Sequence, residues 1–373
     1  MKVFLFFTYQ ISLIDWRSTG LLEREVKFYE YLNNKYGLEF VFFTYGDKED
    51  KEILKDKNFI SVLPIYETNK KSNFKIINFI NSFFYPLKIK KQIQECDVLK
   101  TNQLNGAWVA IISKFFYKKK LVIRTGYDIL DFAKKEKKGY LKVTFYFLLQ
   151  KISIIFSDLY LVTSSSDLSN LRINYQKYLK KIKVRVNWVE EQKINPINKR
   201  FDNQILSVGR LVEQKNYKFL IESFENSNQK IDIYGNGELK NELLNLSISL
   251  NVDLSIYEPI SNIELLSLMS KYKVFVSTSW FEGNPKVVLE AMSLGCIVIC
   301  KKSKNIEEII THMGNGLLFE TKSQLKELVE FVFKENDKTE LISKNAIDYI
   351  RKHNLIEKIA KDEYLDYLKL MNS

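Results

Sequence analysis

The densest chemistry in the chain lies between Ser279 and Gly295, in the run SWFEGNPKVVLEAMSLG. Asn284 is a good helix N-cap and Pro285 suits a first helical position, so a helix is predicted from there. The open N–H groups of its first turn make an anion site. Glu282 precedes this helix, and Glu290 sits inside it between Val287-Val288-Leu289 and Ala291-Met292. A carboxylate among apolar neighbours needs a partner, and hydroxyls of a bound sugar or ribose would serve. The alternative is two surface glutamates on an ordinary strand–helix junction. A second run, ILSVGRLVEQKNY, ends a strand at Gly209 and sets Arg210 and Lys215 around a short turn. Two cations there would clamp a diphosphate, unless both are merely solvated. A third, YGNGEL, places Gly237 where backbone can approach a ligand closely, or where a strand simply turns into a helix.

These residues need rigid elements to hold them. Short β-rich runs alternate with helical patterns almost throughout the chain. In the first half the predicted strands are Val3–Thr8, Glu39–Thr44, Ile60–Ile65, Val98–Thr101, Leu121–Arg124, Leu159–Thr163 and Val184–Trp188. Helical patterns include Gly20–Asn34, Phe74–Gln94 and Gly106–Tyr117. The alternation restarts with strands at Ile205–Val208, Ile231–Tyr234, Leu254–Tyr257, Val274–Ser277, Ile297–Cys300 and Leu317–Phe319. Such β-α alternation calls for parallel sheets with helices on both faces. The polar, Pro-containing stretch from Glu190 to Arg200 reads as a linker. The expected organisation is therefore α/β, with Rossmann-like domains at 1–190 and 204–355 joined by a linker at 191–203. A cleft between two such units is the default ligand site.

Composition narrows the function classes. The 373 residues suffice for two cores, with 46 % hydrophobic and 27 % charged residues. Three cysteines without a CxxC pattern argue against a disulfide framework. Two histidines, His312 and His353, leave little scope for a His-based metal site, and no DxD follows a strand. The apolar N-terminus reads as a first buried strand rather than a signal peptide. Val143–Phe156 is interrupted by Gln150 and Lys151, short of the roughly 20 residues that span a bilayer.

The charge is uneven: 33 Lys+Arg against 19 Asp+Glu in residues 1–190, and 24 against 26 thereafter. This suggests either a polyanionic partner for the first half or a solvated lysine-rich face. Phe74–Lys91 and Tyr140–Phe156 mix aromatics with lysines. Such helices can lie on an anionic membrane, or their aromatics can face the core.

Taken jointly, SVGRLVEQKN, IYGNGEL and FEGNPKVVLEAMSLG occur in an order and spacing that resemble the family-4 retaining glycosyltransferases of GT-B fold. That family's E-x7-E motif is matched by Glu282 and Glu290, and its Arg and Lys by Arg210 and Lys215. The resemblance implies two Rossmann-like domains facing each other across a cleft. It implies metal-independent transfer of a sugar from a UDP- or GDP-sugar, with retained anomeric configuration. Arg210 and Lys215 would bind the pyrophosphate, Glu290 the ribose hydroxyls, and Glu282 the transferred sugar. Backbone around Gly209, Gly283, Asn284, Lys286 and Val287 would meet sugar or phosphate oxygens, with Tyr257 to Ile260 near the base.

In the first half, Gly20 stands where the family has a glycine-containing loop, often with two adjacent glycines. Many members carry a His in the loop matching Arg124–Asp128. Here Tyr127 or Asp128 would replace its sugar contact, unless Asp128 is an acceptor-side carboxylate or a loop N-cap. A helix at about 356–371 is expected to cross back onto the first domain. The implied acceptor is a saccharide or lipid-linked saccharide in surface glycan synthesis, such as lipopolysaccharide or capsule. The implied enzyme works in the cytoplasm or peripherally on the inner face of the cytoplasmic membrane, without a cofactor. The competing classes are a non-catalytic sugar-nucleotide binder, an epimerase or phosphorylase of the same architecture, and a nucleic-acid-binding protein. The last has no recognisable motif here.

Overall fold

A computed structural model describes residues 1–372. The chain divides into two compact units, residues 1–186 with 359–373, and residues 187–358.

The first unit is built on seven parallel strands: β1 (Lys2–Phe6), β2 (Glu39–Thr44), β3 (Ile60–Pro64), β4 (Val98–Thr101), β5 (Lys120–Arg124), β6 (Leu159–Val162) and β7 (Ile182–Val184). Their order is β3-β2-β1-β4-β5-β6-β7. The second unit has six: β8 (Phe201–Val208), β9 (Lys230–Tyr234), β10 (Leu254–Tyr257), β11 (Tyr272–Ser277), β12 (Ile297–Lys301) and β13 (Leu317–Phe319). Their order is β10-β9-β8-β11-β12-β13, again all parallel. Each unit thus runs outward from its first strand and then reverses, the doubly wound arrangement of Rossmann sheets.

Alternation along the central strands explains why both faces are covered. In the second unit, Ile205, Val274, Val276, Ile297 and Ile299 enter one core. Their neighbours Leu206, Phe275, Val298 and Cys300 enter another on the opposite face. Successive side chains point to opposite sides, so these continuous apolar runs demand helices on both. Leu220 and Ile221 from helix Tyr217–Ser223, with Leu325 and Val329 from Lys322–Lys334, complete the first core. Helices Asn262–Met269, Lys286–Ser293 and Asn336–His353 supply the second.

Several boundaries differ from the sequence reading. The last strand of the first sheet is Ile182–Val184, not Val184–Trp188, because Asn187 already pairs with Asn284 of the second unit. The helical pattern Phe74–Gln94 breaks into Lys75–Ser82, Tyr85–Lys88 and Lys90–Gln94. Pro86 lacks the N–H that a continuous helix would need there.

The stretch expected as a linker is packed into the second unit. Ile197 joins its core. Arg200, 4 % exposed, donates to the carbonyls of Asn195 (2.6 Å), Leu294 (2.7 Å) and Tyr272 (3.3 Å). Its guanidinium closes three loop ends at once, which polar composition alone disguises as a linker.

The C-terminal helix, Ile356–Met371, is where the chain passes from the second unit back to the first. Lys100, inside β4 and 1 % exposed, pairs with Glu363 of this helix, itself 3 % exposed. Tyr367 Oη donates to the same carboxylate at 2.5 Å. Asp366 bonds Lys183 and Arg185, both at 2.8 Å. The Lys100 ammonium and the hydroxyl of Tyr367 hold the buried Glu363 carboxyl below its usual range, against the burial that would raise it.

Removing one member of a buried ion pair strands the other charge, at about 3–5 kcal/mol. Lys100→Met is therefore expected to lower the urea midpoint of the first unit strongly, and adding Glu363→Leu to restore most of the loss. Equal unfolding curves for wild type and Lys100→Met would refute this anchoring.

Candidate active site

In a doubly wound sheet, the loops at the carboxyl ends of the two strands flanking the reversal point diverge and leave a crevice. In the second unit those strands are β8 and β11. Their following loops are residues 209–216 and 278–285, which carry Gly209, Arg210, Lys215, Glu282, Gly283 and Asn284.

Close backbone approach shapes the first of these loops. The N–H of Gly209 donates to Tyr234 O at 3.0 Å, and that of Leu211 to Asn236 O at 2.9 Å. A Cβ on Gly235 would lie 1.9 Å from Gly209 O, and one on Gly237 would lie 2.4 Å from Leu211 O. A side chain on Gly237 would thus meet the chain's own backbone, which by itself accounts for the glycine at this position. Gly209, with φ +154, leaves space that a side chain would contest with Lys215 and Tyr217.

The second loop is stitched to the first. Trp280 N donates to Gln214 O at 2.9 Å, and Gln214 Nε2 donates to Phe281 O at 2.9 Å. Thr278 Oγ1 donates to Lys215 O at 2.9 Å. Asn216 adopts the left-handed conformation (φ 53), which turns the chain from Lys215 into helix Tyr217–Ser223. This framework brings Lys215 Nζ to 2.5 Å from Glu282 Oε1. Both side chains are largely buried, at 16 % and 12 % exposure. Arg210 is exposed, and its guanidinium makes no hydrogen bond or ion pair among the described residues.

The helix that carries Glu290 begins one residue later than expected. Lys286 is its first residue and Pro285 its cap, with no side-chain capping bond. Asn284 does not cap. Its Oδ1 accepts from Asn187 N at 2.7 Å, and its carbonyl accepts from Asn187 Nδ2 at 2.5 Å. These two bonds fix the loop from outside, and the N–H groups of Gly283 and Asn284 in the loop and of Val287 in the first turn have no acceptor among the described residues. Lys286 Nζ rests 3.5 Å from the Trp188 ring centroid. Asn305 Nδ2 donates to Glu282 O at 2.8 Å and pins the loop before the helix.

Glu290 is 3 % exposed, and its Oε1 accepts from Asn262 Nδ2 at 3.1 Å. Asn262 is held at the start of its helix by the Ser261–Glu264 capping box. Tyr257, at the end of β10, stacks on Tyr234 with ring centroids 4.7 Å apart. The structure thus gathers Gly209, Arg210, Lys215, Glu282, Gly283, Asn284, Lys286, Val287 and Glu290 on adjoining elements of one unit, with Tyr257 two strands away from β8.

Sequence reasoning missed Asn187, Asn262, Asn305 and Gln214, which hold the site together. Only the Ser261-x-x-Glu264 capping pattern could have drawn attention to Asn262. The remaining partners lie 23 to 97 residues from what they bind.

Gly20 and Asp128 belong to the first unit. Gly20 has φ +70 and ends the turn after helix Leu13–Ser18, its N–H donating to Arg17 O at 3.2 Å. Of the readings open for Asp128, the structure shows the N-cap. Oδ1 accepts from Leu130 N (3.0 Å), Asp131 N (3.1 Å) and Gln150 Nε2 (3.0 Å). Burial raises its carboxyl pKa, partly offset by those bonds. Tyr127 packs against Phe132, with ring centroids 4.4 Å apart and planes tilted by 33°. No group of three or more His, Cys, Asp or Glu side chains suited to a metal ion occurs among the described residues.

Known proteins give this geometry a context. Residues 189–349 match the family model described as glycosyl transferases, group 1. A Campylobacter jejuni relative, N-acetylgalactosamine-N,N'-diacetylbacillosaminyl-diphospho-undecaprenol 4-alpha-N-acetylgalactosaminyltransferase, is 28 % identical over 69 % of this chain and 73 % of its own length. The Staphylococcus aureus capsular polysaccharide biosynthesis glycosyltransferase CapH is 30 % identical over 50 % of this chain and 53 % of its own. Among solved structures, Anabaena HepE in complex with UDP and glucose shares the fold, with a TM-score of 0.78 and 16 % identity over 99 % of this chain and all of that one. The fold is the GT-B fold, and the domain match and the relatives agree on glycosyltransferase chemistry in glycan synthesis.

Proposed function

We propose that the chain transfers a sugar from a UDP- or GDP-sugar to a saccharide or lipid-linked saccharide, with retention of anomeric configuration and without a divalent metal. The observation that carries this reading is the Lys215–Glu282 pair beside the exposed Arg210 and the open first turn of helix Lys286–Ser293. The unit offers two cations and a row of N–H donors at the reversal point of its sheet. A nucleoside diphosphate leaving group develops negative charge that these groups would neutralise in place, the role a metal plays elsewhere. Lys215 is held ready by Glu282, so its ammonium needs little reorganisation when phosphate arrives.

Glu290 supplies the second half of the recognition. Asn262 holds Oε1 at a set orientation, and the carboxylate is well placed to accept ribose hydroxyls, charge-assisted bonds stronger than neutral ones. Glu282 would then contact the transferred sugar while shared with Lys215. The E-x7-E spacing of Glu282 and Glu290 supports the retaining class. The acceptor class is supported by the C. jejuni relative, whose name specifies a diphospho-undecaprenol substrate.

A panel of UDP- and GDP-sugars, with nucleotide release followed with and without lipid-linked acceptors, tests the reading. The anomeric configuration of the product, read by NMR, tests retention.

Loss of a hydrogen bond to a charged group costs roughly 1.5–3 kcal/mol, so Lys215→Ala and Glu290→Gln should each reduce kcat/KM for donor by at least about tenfold. Arg210→Ala should weaken nucleotide binding with an unchanged Tm, because its exposed side chain makes no hydrogen bond or ion pair among the described residues. Wild-type kinetics in both Lys215→Ala and Glu290→Gln would sink the site. Separately, exhaustive EDTA treatment is expected to leave the rate intact. A loss restored by Mg²⁺ or Mn²⁺ would show that the two cations do not suffice.

A further inference from the structure

Two helices of the first unit have their polarity reversed. A surface helix of a soluble protein buries its apolar stripe and exposes its polar one. Helix Lys75–Ser82 instead buries Asn78 and Ser82, four residues apart on one face. Asn78 closes on Ser72 through its side chain, at 2.9 and 2.7 Å. Ser82 Oγ accepts from Trp108 Nε1 at 2.8 Å. The outward residues here are Phe74, Ile76, Ile77, Ile80, Phe83 and Phe84, with Phe74 67 % and Ile76 65 % exposed.

Helix Tyr140–Phe156 repeats the inversion. It buries Gln150 and Ser153 beside Leu149 and Ile154, which reach the core. Leu141, Phe145, Leu148, Ile152 and Phe156 recur at spacings of three and four residues, so they form one stripe, and all five are exposed. The two apolar faces adjoin: Phe79 and Phe145 lie 6.0 Å apart, and Trp108 touches both from beneath, at 5.3 and 6.1 Å. Polar residues inside and large apolar ones outside mean that these helices were shaped for an apolar medium on their outer side.

The surroundings identify that medium. Exposed Lys71, Lys75, Lys88, Lys142 and Lys151 flank the two faces. Beyond Phe156, a hollow of about 340 Å³ is lined by Phe115 and Phe156 together with Lys118 and Lys119. Residues 51–190 hold 27 Lys+Arg against 11 Asp+Glu. A symmetric pairing of two copies through this face would set one lysine rim against another. A membrane with anionic headgroups matches the apolar band and the rim at once, the lysine stems lying along the apolar surface with their ammonium groups at the phosphates. No helix among the described residues is long and apolar enough to cross a membrane, so any contact through this face is lateral.

We propose that the outer faces of helices Lys75–Ser82 and Tyr140–Phe156 are a docking surface for an anionic lipid bilayer. The proposal is independent of the donor chemistry, because none of its residues belongs to the site of the second unit.

The test is co-flotation of the full chain with phosphatidylcholine vesicles, with and without phosphatidylglycerol, at low and high salt. The wild type is expected to float with the phosphatidylglycerol vesicles and to be released in part by salt. Ile76→Ser/Ile80→Ser/Leu141→Ser should reduce the bound fraction at least about tenfold. Lys75→Glu/Lys142→Glu/Lys151→Glu should abolish the preference for phosphatidylglycerol. All six positions are exposed, so Tm and UDP binding serve as controls for folding. Flotation of the triple serine variant like wild type would overturn the proposal, as would wild type left unbound at low salt. So would a wild-type dimer that the serine substitutions dissociate, since the band would then serve a second copy of the chain.

Discussion

Lysine 215 and glutamate 282 stand 67 residues apart in the chain and meet at 2.5 Å. Nothing local brings them together. Lys215 closes the loop after β8, Glu282 lies in the loop after β11, and these are the strands on either side of the sheet's reversal. The pair exists because two parallel strands are neighbours in space while their following loops turn away in opposite directions. The chain then ties the loops back to one another through Gln214, Thr278 and Trp280. An ion pair this sheltered would be a poor source of stability on its own. On the proposed reading, its value lies in fixing an ammonium where a second anion can reach it.

The framework around the pair is made of backbone and amides rather than charges. Gly235 and Gly237 let the β9 loop lie directly against the β8 loop, and that contact sets the path of residues 209–211. Asn187, Asn262 and Asn305 then hold Asn284, Glu290 and the carbonyl of Glu282. Amide side chains suit this task because they donate and accept without adding net charge. In the proposed function, the cations and carboxylates nearby keep their charge for a ligand.

This division of labour explains what was legible in the sequence. Strand–helix alternation, the E-x7-E spacing, and the Gly209–Lys215 turn are local patterns, and the strands of both sheets lie close to where periodicity puts them. Asn187 gives no such signal, because its partner Asn284 is 97 residues away and the bond depends on the tertiary fold. The same holds for Arg200. In a polar, proline-containing run it reads as part of a linker, yet the distant carbonyls of Tyr272 and Leu294, with that of nearby Asn195, make it a buried closure of the second unit. Asp128 was legible only as a choice between roles. Its neighbours Leu130 and Asp131 supply the capping bonds, but Gln150, which completes the set, comes from the next helix.

The basic charge of the first half takes on a different meaning once burial is known. Lys100, in β4, is spent inside the unit on Glu363, whereas the lysines of 70–91 and 134–151 remain at the surface. Charge alone would fit any polyanion, a nucleic acid included. What narrows the choice is the direction in which the neighbouring apolar side chains point. Asn78, Ser82, Gln150 and Ser153 occupy the inner faces of their helices, where apolar residues would have packed more cheaply. A nucleic acid could stack bases on the exposed phenylalanines, but it has no use for the isoleucines and leucines that share the same face, Ile76, Ile77, Ile80, Leu141, Leu148 and Ile152. A lipid interface uses both features, so the reversed helices and the lysine surplus are two readings of one constraint.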